Sequence, residues 1–380
     1  MSKKELDKKT YAIVSYNLYG NFTNYGSALQ TYALHRVINT LSPLEYESVV
    51  LDYCPETLYD KDPLDPMKNM WDQDAVALKN CEMTLPAIRI NYEKFQKFFD
   101  RYLKKSKGKY SPFHFEDKME SEHFDGFVCG SDTVFCIDES NGFDDAFFAN
   151  YECMKKHSIA YAASFGDTKI RENEYPLLDE RLHNFTAIGL RENRMLSYVK
   201  EHVQVPVMKT IDPTLLLEPG DYDTITDDRL EPEKYLLLYT RRYNPEMESY
   251  AETIAKKNNW KIVEISLRAS NTSKGHRMYY EAGVEEFLSL VKHAEYVVTN
   301  SFHGLMFSVQ FKKQFTVFSR ETGDSKIAEA LDLFGLEESL LTHNTERVIS
   351  IRNYDKVHSN IADAREQSLD FLKKALESLE

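Results

Sequence analysis

The sequence has little cysteine, little tryptophan and no excess of positive charge, and each shortage excludes a class of protein. Five cysteines occur in 380 residues, Cys54, Cys81, Cys129, Cys136 and Cys153. The number is odd and no two form a Cys-x-x-Cys pair, which argues against a disulfide framework or a cysteine zinc site. Reduced thiols in a cytoplasm are the expectation. No His-Glu-x-x-His pattern or other metal-spaced cluster occurs, so neither metal nor cofactor is expected. The formal net charge is -14, and no segment interleaves clustered Lys and Arg with aromatics. Nucleic acid is therefore not an expected partner, because phosphate neutralisation needs a basic stripe. An anionic small substrate would need a local nest of Arg, His and helix N-termini within a repulsive field. Residues 1–10 are polar, and no uninterrupted apolar run approaches the length of a membrane helix. The expected location is the cytoplasm, with at most peripheral contact at the inner membrane face.

What is present suits a folded enzyme. Hydrophobic residues make up 42% of the chain, enough for two domains with substantial cores. Tyrosine and phenylalanine number 24 and 22 against 2 tryptophans. Core packing is the plain reading of that excess, and contact with sugars is the functional one.

Residues 11–17 form an apolar run rich in strand formers. A loop over 20–26 follows, then a helix with Leu29, Ala33, Val37 and Leu41 on one face and a capping box at 27–30. The stretch 55–112 reads as a helical insertion, its apolar face carrying Phe95, Phe98, Phe99, Tyr102 and Leu103. Strand-like runs resume at 124–129, 158–164 and 186–190. Pro219-Gly220 marks a boundary. Beyond it, strands at 235–240, 260–266, 295–300 and 315–319 alternate with helices at 247–257, 284–294 and 302–311. A last helix over 360–379 aligns Leu369, Leu372, Leu376 and Leu379. Strands alternating with helices of this length predict parallel sheets covered on both faces. The expected architecture is α/β, two Rossmann-like doubly wound domains. They would span 1–218 and 219–355, with residues 356–380 a helix crossing back onto the first. In such sheets ligands sit outside the carboxyl ends of the strands.

Three turns at such positions carry candidate chemistry. In Thr299-Asn300-Ser301-Phe302-His303-Gly304, Asn300 or Ser301 would cap a helix whose first turn holds His303. The exposed N–H groups and helix dipole there favour an anion. The dipole opposes protonation of such a histidine, whereas a bound phosphate favours it and makes a general acid. The plain alternative is a histidine that only bonds the neighbouring loop. In Gly130-Ser131-Asp132, Gly130 allows close approach and Asp132 is a candidate base, or these residues merely cap a turn. Asn24-Tyr25-Gly26-Ser27 resembles a substrate-cradling loop but is neither a Gly-x-Gly-x-x-Gly nor a Walker motif. Arg191, Arg241 and Arg242 end predicted strands and offer forks for phosphate or carboxylate.

Taken in order, Asn24-Tyr25-Gly26-Ser27-Ala28-Leu29-Gln30, Gly130-Ser131-Asp132, Tyr161-Ala162-Ala163-Ser164-Phe165-Gly166, Leu190-Arg191-Glu192, Asp212-Pro213-Thr214-Leu215-Leu216 and Ser301-Phe302-His303-Gly304 resemble the polysaccharide pyruvyl transferase family over residues 10 to 335. The resemblance implies a fold similar to the GT-B glycosyltransferases. It also implies transfer of a pyruvyl group from phosphoenolpyruvate, a co-substrate, to a saccharide of a cell-surface polysaccharide precursor, one that is lipid-linked, forming a ketal. The family's Arg-Leu-His-Gly or Arg-Leu-His-Ala turn places its acid on His303. Ser301 and Phe302 stand where that turn has Arg and Leu, so a charge is missing, worth about 1.5–3 kcal/mol. Arg191, Arg241 and Arg242 are the expected compensators, with Ser301 and Gly304, on the donor side. Asn24, Tyr25, Gly26, Ser27, Gly130 and Ser131 fall on the acceptor side. Two other readings remain: a GT-B-like glycosyltransferase using a nucleotide sugar, and a glycan-binding protein without catalysis. The sequence leaves the oligomeric state open.

Overall fold

The computed structural model describes residues 8–16, 18–19, 23–64, 75–320, 325–345, 348–351 and 353–379. Residues 20–22 of the first loop and 65–74 of the insertion thus lie outside the described residues, as does the side chain of Cys81. Two fully parallel sheets organise the chain. The first holds β1 (Lys9–Val14), β2 (Tyr46–Tyr53), β3 (Lys105–Tyr110), β4 (Gly126–Cys129), β5 (Ser158–Ala163), β6 (Phe185–Leu190) and β7 (Val207–Lys209), in the order β3-β2-β1-β4-β5-β6-β7. The second holds β8 (Tyr235–Tyr239), β9 (Lys261–Ile265), β10 (Arg277–Met278), β11 (Tyr296–Thr299), β12 (Gln314–Phe318) and β13 (Leu340–Leu341), in the order β10-β9-β8-β11-β12-β13. The sequence Tyr-Leu-Leu-Leu-Tyr of β8 and Tyr-Val-Val-Thr of β11 are buried at every position, as strands covered on both faces must be. Each sheet reverses its strand order once, between β1 and β4 and between β8 and β11. Those two crevices are where such sheets bind ligands.

The insertion differs from its expected form. Its helix, Ala75–Tyr102, runs for 28 residues through Pro86, but the segment then returns as β3, which pairs with β2 at the sheet edge. Lys-Ser-Lys-Gly-Lys-Tyr has no apolar run to reveal a strand, and lysines on an edge discourage pairing with other chains. The same helix reaches the second domain. Asn91 Nδ2 donates to the Ala282 carbonyl at 2.6 Å, Lys94 pairs with Glu286 at 2.6 Å, and Asn80 Oδ1 accepts from the Ser270 N–H at 2.9 Å.

The last helix, Tyr354–Glu377, starts earlier than its leucine stripe suggests, because Asn353 caps it by accepting from the Lys356 N–H. It lies against the first sheet. Tyr11 Oη donates to the Leu376 carbonyl at 3.2 Å, and Ser368 Oγ accepts from the Ile211 N–H at 3.1 Å. Leu372 and Leu376 are fully buried there, each worth about 2 kcal/mol in area removed from water.

Candidate active site between two strand crevices

The two crevices face each other, and His303 crosses from one to the other. It occupies the first turn of helix Phe302–Gln310, whose N-cap is Ser301, accepting from the Gly304 N–H at 3.2 Å. Thr299 Oγ1 donates to the Tyr239 carbonyl at 2.7 Å and accepts from the Ser301 N–H at 3.0 Å, locking the turn onto β8. Asn300 does not cap. Its side chain accepts from the Arg241 N–H at 2.9 Å and donates to the Arg242 carbonyl at 2.6 Å, which fixes the loop after β8. A Cβ on Gly304 would lie 2.5 Å from Thr299 Oγ1. Gly304, expected beside the donor, also lets the helix close on the strand.

The His303 ring packs on the first turn of helix Tyr25–Leu41. A Cβ on Gly26 would fall 2.0 Å from Nδ1 of that ring, so only glycine fits. That helix begins at Tyr25, capped by Asn24, which accepts from the Gly26 N–H at 3.0 Å. The box expected at 27–30 does not form, because Gln30 is turned inward. Its amide donates to Ser15 Oγ and Thr31 Oγ1, and its oxygen accepts from the Ser131 N–H at 3.2 Å. Tyr25, expected to face an acceptor, is buried. Its ring stacks on Phe287 at 4.4 Å and its hydroxyl donates to the Ala282 carbonyl at 2.8 Å, so it joins the domains.

On the other side of the ring, Nε2 lies 3.5 Å from Asp212 Oδ2 and is buried without a hydrogen bond. Asp212 is fixed from three directions. Thr214 donates its N–H at 3.0 Å and its hydroxyl at 2.7 Å to Oδ1, and Arg191 Nη1 lies 2.9 Å from Oδ2. Burial alone would raise the Asp212 carboxyl, but the neighbouring His303, Arg191 and Thr214 outweigh it and hold the group well below the usual range. Arg191 is correspondingly not the free donor cation that the sequence suggests. It is buried, bonded to Asp212, 3.9 Å from both Asp132 and Glu192, and stacked over Phe302 at 4.8 Å. Three carboxylates already surround its one charge.

Asp132 follows a cis Gly130–Ser131 bond and has φ 72°, a region costly for a non-glycine residue and concentrated at functional sites. Gly130 has φ 121°, and a Cβ there would meet the Tyr161 carbonyl at 2.4 Å. Ser131 is fully buried, donating to the Ala162 carbonyl at 3.0 Å while its own carbonyl accepts from Ser15 at 2.6 Å. Gly130 and Ser131, expected on the acceptor side, thus shape the turn that presents Asp132. Ser27 donates to Asp132 Oδ2 at 2.8 Å, joining two of the sequence candidates. Burial opposes charge on Asp132, but Arg191, His303, Lys326 and the Ser27 hydroxyl prevail and keep its carboxyl low. That makes it a weaker base than an ordinary aspartate.

Arg241 and Arg242 are exposed at the carboxyl end of β8. Sequence reasoning missed their companions. Burial pushes the Tyr239 phenol up, while the nearby Arg241, Ser301 and Arg320 pull it back, which gathers these groups around one hydroxyl. Lys326 is half-buried, with Nζ 5.9 Å from the Phe302 ring centroid and no ion pair among the described residues. Burial lowers its ammonium, Arg191 and Arg320 lower it further, and Asp132 and Glu139 oppose them. No motif contains Lys326; only the folded chain brings it beside Phe302. Among the described residues no group of three or more His, Cys, Asp or Glu could hold a metal ion. Cys54, Cys129, Cys136 and Cys153 are free thiols, and no described helix is long and apolar enough to cross a membrane.

Comparison with known proteins agrees with this architecture. A search of curated proteins finds no match. Similar solved structures include a Listeria monocytogenes protein assigned as a UDP-N-acetylglucosamine 2-epimerase, at 12% identity and TM-score 0.53, covering 98% of this chain and 90% of that one. Another is the UDP-N-acetylglucosamine 2-epimerase from Rickettsia bellii, at 11% identity and TM-score 0.50, covering 98% of each chain. At such identities the likeness is one of fold, two Rossmann-like domains in the GT-B arrangement, and function must be argued from the site. A family model described as polysaccharide pyruvyl transferase matches residues 24–322. With most of its length matched, and with Gly26, Asp132, Arg191, Asp212 and His303 brought together within that span, the chain is a transferase belonging to the polysaccharide pyruvyl transferase family.

Proposed function

We propose that this transferase moves a pyruvyl group from phosphoenolpyruvate to a saccharide of a cell-surface polysaccharide precursor, forming a ketal, with His303 as the general acid. The observation that carries the proposal is the placement of His303. The ring stands at a helix N-terminus, pressed on Gly26, with Nε2 facing Asp212. Asp212 sets the ring orientation and complements the charge of an imidazolium. In the proposed reaction the His303 imidazolium delivers a proton to the methylene carbon of the donor, which becomes a methyl group. The adjacent carbon gains cationic character, and an acceptor hydroxyl adds to it. Its C–O phosphate bond then breaks, inorganic phosphate leaves, and a second hydroxyl completes the ketal. One hydroxyl proton restores His303, and the other leaves with phosphate.

The donor is trianionic at its most charged, so its site must supply cations. Ser301 brings none and Arg191 is neutralised. We assign donor binding to Lys326, Arg241 and Arg320, together with the backbone N–H groups at the start of helix Phe302–Gln310. The acceptor enters past Ser27 and Asp132, and a lipid carrier would place the reaction at the inner membrane face. Incubation with phosphoenolpyruvate and candidate saccharides should release phosphate and yield a ketal detectable by mass. His303→Ala should abolish both while the protein stays folded, with a lowered thermal midpoint because Asp212 loses its partner. Stabilisation by uridine diphosphate but not by phosphoenolpyruvate, with no phosphate released, would overturn the reading in favour of nucleotide-sugar chemistry.

A further inference from the structure

Beside the reacting centre, the first domain holds a cavity of about 290 Å³. It lies beyond Ser27 and Asn24, between the loop after β1, the carboxyl end of β2, β3 and the long helix Ala75–Tyr102. Ser27 lines this cavity and also donates to Asp132, so the cavity lies one residue away from Asp132. Tyr19, Tyr59 and Tyr92 contribute rings to its wall. Tyr59 is 47% exposed and meets Phe113, 54% exposed, edge to face at 5.1 Å. An exposed aromatic pair at a cavity mouth offers flat apolar area with polar edges, which suits the face of a sugar ring.

Charge narrows the ligand further. The lining has three lysines, Lys61, Lys105 and Lys109, against the single carboxylate of Asp52. Asp52 already accepts from the Tyr19 hydroxyl at 2.7 Å, and Lys105 pairs with Asp100 on the outer side at 2.5 Å. Lys61 and Lys109 make no ion pair among the described residues. Burial, reinforced by Asp52, pushes the Cys54 thiol up to about 12, so it adds no negative charge. In a chain of net charge -14 a net-positive cavity is a selective feature, because the net field of the chain disfavours anions. The volume fits about one sugar residue.

We infer that this cavity is a subsite for an anionic sugar of the acceptor, one bearing a carboxylate or a phosphate, held beside the residue that is modified. The inference rests on the pyruvyl-transfer reading for the name "acceptor", but its test needs no turnover. Binding would be followed by saturation-transfer NMR and calorimetry, without phosphoenolpyruvate. The probes are a glucuronosyl-glucose disaccharide, glucosyl-glucose 1-phosphate and the neutral glucosyl-glucose disaccharide. At least one anionic probe should bind about tenfold more tightly than the neutral one at low salt, with the advantage shrinking as salt rises. The uronate and phosphate arms tell which anion is recognised. Lys61→Gln with Lys109→Gln, both on exposed side chains, should erase the advantage without moving the thermal transition. Tyr92→Ala should weaken every probe. Equal binding of neutral and anionic probes, no binding of any, or an advantage that survives the lysine changes would overturn the subsite. If binding behaves as expected, in wild type and in His303→Ala alike, yet phosphoenolpyruvate releases no phosphate, the transfer reading fails and the subsite stands.

Discussion

Gly26 shows how a small residue can carry a site. Its missing Cβ is what allows the His303 ring to rest against the first turn of the facing helix. Gly26→Ala would either push the ring away or spread the two helices. Overpacking of this kind costs about 1–3 kcal/mol, and an ångström of misplacement about a hundredfold in rate. We therefore expect Gly26→Ala to stay folded, with a modest fall in thermal midpoint, and to lose at least about a hundredfold in phosphoenolpyruvate-dependent phosphate release. An unchanged rate would mean that the ring position seen here is not the working one. In the sequence Gly26 and its neighbour Tyr25 read alike, as acceptor contacts in one substrate-cradling loop. Their different placement in the structure has a physical cause. Tyr25 is large and apolar enough to be claimed by Phe287 in the other domain, and nothing local reveals that. His303, Asp132 and Ser27 are legible because turn chemistry at strand ends follows local rules. Lys326, Tyr239 and the Asp212–His303 contact depend on chain segments far apart in sequence.

At the scale of elements, the strands of both sheet centres are readable because burial on both faces leaves continuous apolar runs. β2 and β3 were harder to see. Tyr46–Tyr53 mixes glutamate and aspartate into its run, and β3 is nearly all lysine, glycine and serine outside Tyr110. The C-terminal helix has a clear stripe, but a stripe does not say what it covers. In the structure it covers the first sheet, where Phe371 lies 3.0 Å from the position a Cβ on Gly189 would take. The second domain's connection to the first is therefore made by buried leucines rather than by a linker alone. Leu372→Ala should cost about 2–5 kcal/mol, the range for a leucine whose cavity cannot collapse. Chemical denaturation monitored by circular dichroism would read it as a lower midpoint with an unchanged slope. A cost below about 0.5 kcal/mol, within the range of a surface change, would show that the helix is not docked as described.

For the whole molecule, acidity is the variable that tests domain pairing, and three sets of groups must be separated first. His35, buried beside the Ser48 hydroxyl at 2.7 Å, has its pKa lowered from 6.5 to about 4, chiefly by burial. The unfolded chain binds that proton first, so stability present above 6.5 is lost as pH falls towards 4. Asp144 accepts from the Tyr53 hydroxyl and the Ala146 and Phe147 N–H groups, yet burial raises it from 3.8 to about 6. The folded chain binds that proton first, so stability is gained between 6 and 4. The two effects have opposite sign and similar size, about 3 kcal/mol at most, and should leave the denaturation midpoint nearly level from pH 7 to 4. His35→Gln should expose the gain and Asp144→Asn the loss. Asp132 and Asp212 act elsewhere. Both carboxyls are held below the usual range by cations that include His303 of the second domain, so their contribution is complete above about 4 and lost as pH drops through their lowered values. Below pH 4 the midpoint should fall steeply, and small-angle scattering should show the domains separating. Asp212→Asn, which removes one of the two charges that tie the domains together, should be less stable at pH 7 and fall less steeply below 4. A parallel fall in wild type and variant would assign acid unfolding to the rest of the molecule and leave the Asp212–His303 contact without a role in holding the domains together.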